Sequence, residues 1–394
     1  MTATLPSYFS DLHIHIGSTR SGKPVKITAS RSMTLTSVLE EASERKGMDM
    51  IGIIDAHVPE VLDELEALLE QGSAHEVAGG GIEYKQTSLI LGSEVEIKED
   101  GRGEAHFLCY IPTVHNMREL SLWLQARCKN ITLSSQRIAT TVRELQQVVD
   151  SLGGTVIPAH IFTPHKGMYG NCTDRMDEIL DPSRILAVEL GLSANTRMAD
   201  RLMELHDKTF LTNSDAHSLA KIGREYQQIV MEKPCFQEWV MALKREDGRG
   251  VLVNYGLMPQ LGKYHQTTCQ SCGQPLAQTA DGRCPHCGYK AVIRGVDERV
   301  NELANLAAGV HPNHRPPYVE QVPLEFIPGI GPKIRNKLYQ AFGTEMNILH
   351  RTSCTELEKV VGEKLARTLT SASQGQLKVT SGGAGVYGRI AIDK

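Results

Sequence analysis

Short apolar runs that end in histidine or a carboxylate recur along residues 11–217 of this 394-residue chain, and that recurrence constrains the fold most. The first is Asp11-Leu12-His13-Ile14-His15. A strand sends alternate side chains to one face, so His13 and His15 point together. Two imidazoles side by side at a strand end form half of a metal site. Met50-Ile51-Gly52-Ile53-Ile54 then runs into Asp55, Thr155-Val156-Ile157 into His160, and Phe210-Leu211-Thr212 into Ser214-Asp215-Ala216-His217. Between these runs lie helical patterns. Leu35, Val38, Leu39 and Ala42 follow i, i+3, i+4, i+7 spacing, with Gly47 as a stop. Further helices are expected near Ser135–Asp150, halted by Gly153-Gly154, and near Met198–His206. The βαβα rhythm predicts an α/β fold of parallel strands with crossover helices. Polar residues collect just after the strands, where α/β folds place active sites.

The length implies two or three domains. Apolar content of 41% and charged content of 22% suit a globular protein. No apolar run reaches the roughly 18 residues of a membrane span. The N-terminal MTATLPSYFSDLHIH lacks the basic and apolar regions of a secretory signal, so a cytoplasmic protein is expected. A net charge of −4 does not advertise nucleic-acid binding, but segregated charge must be read locally.

Three regions are expected: 1–262, 263–294 and 295–394. The middle one holds Cys269, Cys272, Cys284 and Cys287, two C-x-x-C knuckles whose spacing signals a four-cysteine zinc ribbon. A redox role for C-x-x-C would not need two copies. The other five cysteines are scattered and read as small buried hydrophobes. Between 261 and 294, Lys263, Arg283, Lys290 and Arg294 against Asp281 give a net of +3, a patch for a polyanion or a solvated surface. His311-Pro312-Asn313-His314-Arg315-Pro316-Pro317 reads as a stiff linker into a helical region. The residues from Ser381, with Gly-Gly-Ala-Gly, are expected to be mobile or to form a short strand. Pro328-Gly329-Ile330-Gly331 followed by Pro332 and an amphipathic helix resembles a helix-hairpin-helix motif. There Gly329 and Gly331 let backbone N–H groups approach a DNA phosphate, and Lys333, Arg335 and Lys337 add charge. The alternative is a plain helix joint. Thr355-x-x-Glu358 reads as a capping box opening a second, weaker copy at Val360-Val361-Gly362.

The strand-end residues His13, His15, Asp55, His57, Glu94, His106, His160, Glu189, Asp215 and His217 form a joint pattern pointing to a multi-metal site. Imidazole and carboxylate suit Zn²⁺ or Mn²⁺. The motifs D-L-H-I-H (11–15), I-I-D-A-H (53–57), G-S-E (92–94), A-H-F-L-C-Y (105–110), P-A-H (158–160) and S-D-A-H (214–217) resemble the PHP (polymerase and histidinol phosphatase) superfamily. That resemblance implies a distorted βα barrel holding two or three divalent metals, with phosphoester chemistry. By it, His13, His15, Glu94 and Asp215 hold a first metal. Glu94 bridges to a second, held by His106 and His160. His217 and His57 hold a third, with Asp55 nearby. Ala56 separates Asp55 from His57 where the superfamily has Asp and His adjacent, which leaves open which of the two is the ligand. Asp11 is expected to orient a ligand from behind, and Glu189 is either a ligand or a buried partner.

The order of barrel, ribbon and hairpins, with V-N-Y-G-L-M-P-Q-L-G-K-Y-H (253–265) ahead of the first knuckle, resembles the endonuclease Q family over nearly the whole chain. This implies a nick 5′ of deaminated bases (uracil, hypoxanthine, xanthine) or abasic sites in double- or single-stranded DNA, leaving 3′-hydroxyl and 5′-phosphate ends. It also implies Zn, Mg or Mn in the barrel and a structural Zn in the ribbon. His13, His15, Glu94 and Asp215 are then the catalytic set. Asn213, Ser193 and the backbone at Gly191 or Leu192 are expected to read an extruded base, the alternative being that they cap turns. A monomer is expected. A sliding-clamp partner rests on family analogy only. The barrel alone would also permit a phosphatase of small phosphomonoesters, and a non-catalytic DNA-binding adaptor is a third reading. The ribbon and hairpins argue against the phosphatase, and the completeness of the ligand set against the adaptor.

Overall fold

The computed structural model describes residues 5–276 and 283–376 and the short antiparallel strands Val379–Thr380 and Arg389–Ile390. The Gly-Gly-Ala-Gly stretch and Asp281 lie outside the described residues.

Eleven strands build the first part: β1 (Ser7–Ile14), β2 (Met50–Ile53), β3 (His75–Glu76), β4 (Ile82–Tyr84), β5 (Thr87–Lys98), β6 (Glu104–Ile111), β7 (Thr155–Pro158), β8 (Ala187–Glu189), β9 (Thr209–Leu211), β10 (Tyr226–Val230) and β11 (Gly250–Leu257). The helices between them are α1 (Leu35–Glu40), α2 (Pro59–Glu70), α3 (Val114–Gln125), α4 (Val142–Ser151), α5 (Thr196–Ala199) and α6 (Phe236–Lys244). The expected all-parallel order holds only in part. β1–β2–β5 and β8–β9 pair parallel, but β10 and β11 are antiparallel neighbours on the β1 side, and β5–β6–β7 form an antiparallel run. For β5–β6 the cause is local: a tight turn at 99–103, with Gly101 at φ +72°, replaces a crossover helix. Helix α4 begins at Val142 rather than near Ser135, because Thr141 and Glu144 form a capping box there. The helix expected near Met198–His206 shrinks to the single turn of α5, capped by Asn195, and a 3-10 turn at Met203–Leu205.

The chain's later parts fasten onto this barrel. β12 (Thr268–Cys269) and β13 (Val292–Ile293) form the ribbon's small sheet. Helix α7 (Val296–Leu303) buries Val296 and Val300 in the main barrel core. β14 (Tyr318–Gln321) adds a parallel strand beside β11. The stretch expected to be a linker is therefore anchored at both ends. Arg315, 1% exposed, pairs with fully buried Asp200 at 2.9 Å and stacks 3.4 Å above the Phe210 ring.

The helical region packs α8 (Pro332–Phe342), α9 (Glu345–His350), α10 (Cys354–Val361) and α11 (Glu363–Ser373) around a separate core that includes Ile327, Ile330, Leu338, Leu357 and Leu369. Helix α9 docks it to the barrel. Met346 enters the barrel core, Glu345 takes a buried ion pair from Lys46 at 2.7 Å, and His350 stacks on Phe9 with centroids 4.7 Å apart. The cap of α10 is Ser353 with Glu356, not Thr355 with Glu358. Two Ser/Thr-x-x-Glu frames overlap there, and the extended backbone falls at Ser353.

Candidate metal centre and nucleic-acid face

Burial and backbone geometry bring the ligand-type residues together at the strand ends. His13 and His15 are fully buried at the end of β1, and Glu94 is buried in β5. His13 Nε2 lies 3.5 Å from Glu94 Oε1 and 3.4 Å from Asp215 Oδ1. His15 Nε2 lies 3.6 Å from Glu94 Oε2 and 3.5 Å from Asp215 Oδ1. On the other side of Glu94, His106 Nδ1 is 2.9 Å and His160 Nε2 3.5 Å from Oε1. The donor atoms group as His13–His15–Glu94, His15–Asp215–His217 and Glu94–His106–His160, so Glu94 belongs to two clusters. Two of these residues occupy the left-handed region, His160 at φ +30° and Asp215 at φ +46°. Such conformations cost about 1–3 kcal/mol each and persist where the surrounding fold imposes them.

The arrangement fits divalent metals. The Nε2 atoms of His13 and His15, the ones that face Glu94 and Asp215, are buried without a hydrogen-bond partner among the described residues. Orphaned ring nitrogens are costly unless something binds them. The spacings of 3.4–3.6 Å match the roughly 3.4 Å separation of neighbouring tetrahedral ligands with 2.0–2.1 Å bonds. Behind the inner pair, carboxylates take the opposite ring nitrogens: Glu189 at 2.9 Å from His13 Nδ1 and Asp55 at 3.1 Å from His15 Nδ1. Carboxylates so placed fix imidazole orientation and raise its basicity. Burial pushes the Glu94 and Asp215 carboxyls up, but the facing imidazoles, with Lys26 at Glu94, hold both well below the usual range. Both therefore stay anionic at neutral pH.

The sequence left Asp55 and His57 as alternatives, and Glu189 as ligand or partner. Neither Asp55 nor His57 enters any of the three barrel clusters among the described residues. Asp55 accepts from Ile16 N–H at 2.7 Å and faces His15 and the Ser134 hydroxyl, which places it behind the ligands. His57 Nδ1 faces the Ser93 hydroxyl at 2.8 Å, and burial lowers its pKa to about 4. Asp11 acts on backbone, accepting N–H groups of Ser214 at 3.0 Å and Gly223 at 2.8 Å, and so steadies the loop that carries Asp215. Asp55→Asn is expected to weaken metal retention about 10- to 100-fold while circular dichroism stays native. Metal content after dialysis against graded chelator measures it, and wild-type retention would contradict the orienting role.

A cavity of about 590 Å³ opens on these clusters. Its lining includes Gly191, Leu192 and Ser193, with Lys263 and Tyr264 from the strand-to-ribbon strap. Gly191, at φ +78°, has no room for a Cβ, which would meet His160 Cβ at 2.7 Å. Asn213, expected to read a base, lines the cavity and is also bonded into the fold. Its Oδ1 accepts from Leu12 N–H at 2.9 Å and Gln227 Nε2 at 3.1 Å, while its Nδ2 donates to Glu189 at 2.8 Å. Lys26 escaped sequence reading: its Nζ donates to Glu94 Oε2 at 2.9 Å from a loop with no motif around it.

The four cysteines converge, with Sγ separations of 3.5 Å for Cys269–Cys287 and 3.6 Å for Cys272–Cys284. These are too long for a disulfide and near the roughly 3.8 Å edge of a tetrahedron with 2.3 Å zinc–sulfur bonds. The knuckles repeat one turn: Gly273 N–H bonds Cys269 C=O, and Gly288 N–H bonds Cys284 C=O. In the helical region Gly329 (φ +89°) and Gly331 lead into α8, where Lys333 and Lys337 are exposed and Arg335 half-buried. Gly362 (φ +81°) leads into α11 in the same way. No helix among the described residues is long and apolar enough to cross a membrane.

A family model described as PHP-associated matches residues 194–247. The uncharacterised protein YqxK of Bacillus subtilis (strain 168) is 49% identical over 384 residues, 97% of this chain and 98% of its own length. The crystal structure of the lesion-specific endonuclease PfuEndoQ from Pyrococcus furiosus has a TM-score of 0.83 at 30% identity, covering 99% of this chain and 96% of that one. A structure of endonuclease Q with a 27-mer duplex carrying an abasic lesion has a TM-score of 0.85 at 30% identity, covering 99% and 97%. A distorted α/β barrel with imidazole–carboxylate clusters at its strand ends defines a metal-dependent hydrolase of the PHP type. Within that class the chain belongs to the endonuclease Q family, metal-dependent DNA endonucleases, along its whole length.

Proposed function

We propose that this chain is a DNA repair endonuclease that opens the phosphodiester on the 5′ side of a deaminated base or an abasic site, leaving 3′-hydroxyl and 5′-phosphate ends. The observation that carries the reading is the pair of clusters sharing Glu94, opening on a cavity of about 590 Å³, in a chain that also bears two glycine hairpins. The resemblance to a lesion-specific endonuclease and to one solved with an abasic duplex supports the substrate class.

His13, His15, Glu94 and Asp215 would hold one divalent metal, and Glu94, His106 and His160 a second; His217 beside Asp215 offers a place for a third. Zn²⁺ suits the donor set, with Mg²⁺ or Mn²⁺ as the other occupants. Bound there, such metals supply an acidified water and charge stabilisation for the attacking and leaving oxygens. The chain's own groups do the rest. Lys26 neutralises the shared carboxylate, and Arg224, donating to Ser214 C=O at 2.7 Å, fixes the Asp215 loop. The open α8 N-terminus, with Lys333, Arg335 and Lys337, grips duplex backbone without reading sequence. A flipped nucleotide reaches the cavity, and damaged or mispaired bases cost least to extrude. Ser193 and the backbone at Gly191 and Leu192 face it there.

The test is a denaturing gel of end-labelled duplex carrying one deoxyuridine, with Mg²⁺ or Mn²⁺, beside undamaged duplex and Asp215→Ala enzyme. A single metal-dependent product ending 5′ of the uridine, absent in both controls, is expected. No cut, or equal cutting of undamaged duplex, refutes the reading.

A further inference from the structure

We infer that Tyr264 forms the stacking wall against which the extruded base lies; this rests on the endonuclease reading above. Asn213, expected to read the base, lines the cavity but has its carboxamide bonded within the fold at both ends, so hydrogen bonding from it is not the only recognition the pocket can offer. An aromatic residue, Tyr264, lines the same cavity from the strap that leads to the ribbon.

Three contacts fix that strap. A Cβ on Gly262 would stand 2.1 Å from Ser193 Oγ and 2.5 Å from Leu192 C=O, so strap and loop meet with no side chain between them. The Tyr264 N–H donates to Ser193 Oγ at 3.4 Å. The Tyr264 carbonyl accepts from Val296 N–H at 2.8 Å, at the start of the helix whose Val296 and Val300 lie in the barrel core. The ring is thus held between the Ser193 loop and α7 rather than on a loop tip. It packs against the barrel core yet remains part-exposed toward the cavity. Among the described residues its hydroxyl has no hydrogen bond and its ring no aromatic partner.

The chemistry suits the substrate class. Every base has a π-face, so stacking accepts a pyrimidine and a purine alike where hydrogen bonds alone would separate them. An aromatic wall lets one pocket hold uracil, hypoxanthine and xanthine, with Ser193 and nearby backbone left to meet their edges. It contributes nothing when the base is missing.

That asymmetry gives the test. Single-turnover nicking by wild type, Tyr264→Phe, Tyr264→Leu and Tyr264→Ala is measured on duplexes carrying deoxyuridine, deoxyinosine or an abasic analogue. Tyr264→Ala is expected to lose about 10- to 100-fold on the two bases, stay within about twofold on the abasic site, and be rescued by Phe but not Leu. Abasic cutting also reports that the variants fold. Equal loss on all three substrates, or no loss on any, overturns the stacking wall. Wild-type enzyme that cuts none of the three overturns the endonuclease reading instead.

Discussion

Glu94→Gln is expected to strip together the two barrel metals that would share it, while leaving metal at the four-cysteine cluster in place. The substitution keeps shape but removes the charge shared by two donor clusters, His13–His15–Glu94 and Glu94–His106–His160. Each has two imidazoles left without the anion that offsets a dication. The amide nitrogen would also face His106 Nδ1, now 2.9 Å from Glu94 Oε1, or Lys26 Nζ, now 2.9 Å from Oε2. Metal-derived charge stabilisation supplies several kcal/mol, so nicking should fall about a thousandfold or more. Metal analysis should fall by two ions per chain, leaving what the four cysteines and the His15–Asp215–His217 group hold. Asp215→Asn makes the contrast. Asp215 contacts His13, His15 and His217 but not the His106–His160 pair, so that variant should keep the metal at His106–His160 that Glu94→Gln loses. Full retention of metal by Glu94→Gln would refute the shared-carboxylate arrangement.

What could be read in advance was local. The His13–His15 pair follows from strand alternation, and the ribbon from two C-x-x-C turns, each closed by a left-handed glycine. Carboxylates at strand ends were legible as a set. Their division into ligands and supports was not, because it depends on which nitrogen of which ring each one faces. Asp55 and Glu189 look like ligands in sequence and stand behind the rings in space. Asn213 looks like a reader of bases, and three partners distant in sequence claim it. The antiparallel β6–β7 pairing and the arrival of β14 at β11 are long-range pairings with no periodicity to announce them. Lys26 and Tyr264 matter only through where the chain returns.

Arg315 is the sharpest case, and it carries the second large expected effect. In sequence it sits between histidines and prolines and reads as part of a spacer. In the fold its guanidinium is buried against Asp200, itself 0% exposed, donates to Leu205 C=O at 3.0 Å, and covers the Phe210 ring. Removing one partner of a buried pair leaves an uncompensated charge and costs about 3–5 kcal/mol, whereas replacing both by apolar groups is often neutral. Arg315→Met is therefore expected to destabilise the barrel by about that amount, read as a lowered urea midpoint. His311, with Nδ1 2.6 Å from Asp200, retains some compensation and sets the expectation toward the lower end. Asp200→Leu combined with Arg315→Met should recover most of the loss. The same pin also positions β14, two residues beyond Pro316, and through it the path into the helical region. Arg315→Met should therefore weaken binding to undamaged duplex under native conditions, and the double variant should restore it. A single variant as stable as wild type would mean that the stretch is a spacer after all, and that α9, its Lys46–Glu345 pair and the β11–β14 pairing hold the helical region to the barrel without it.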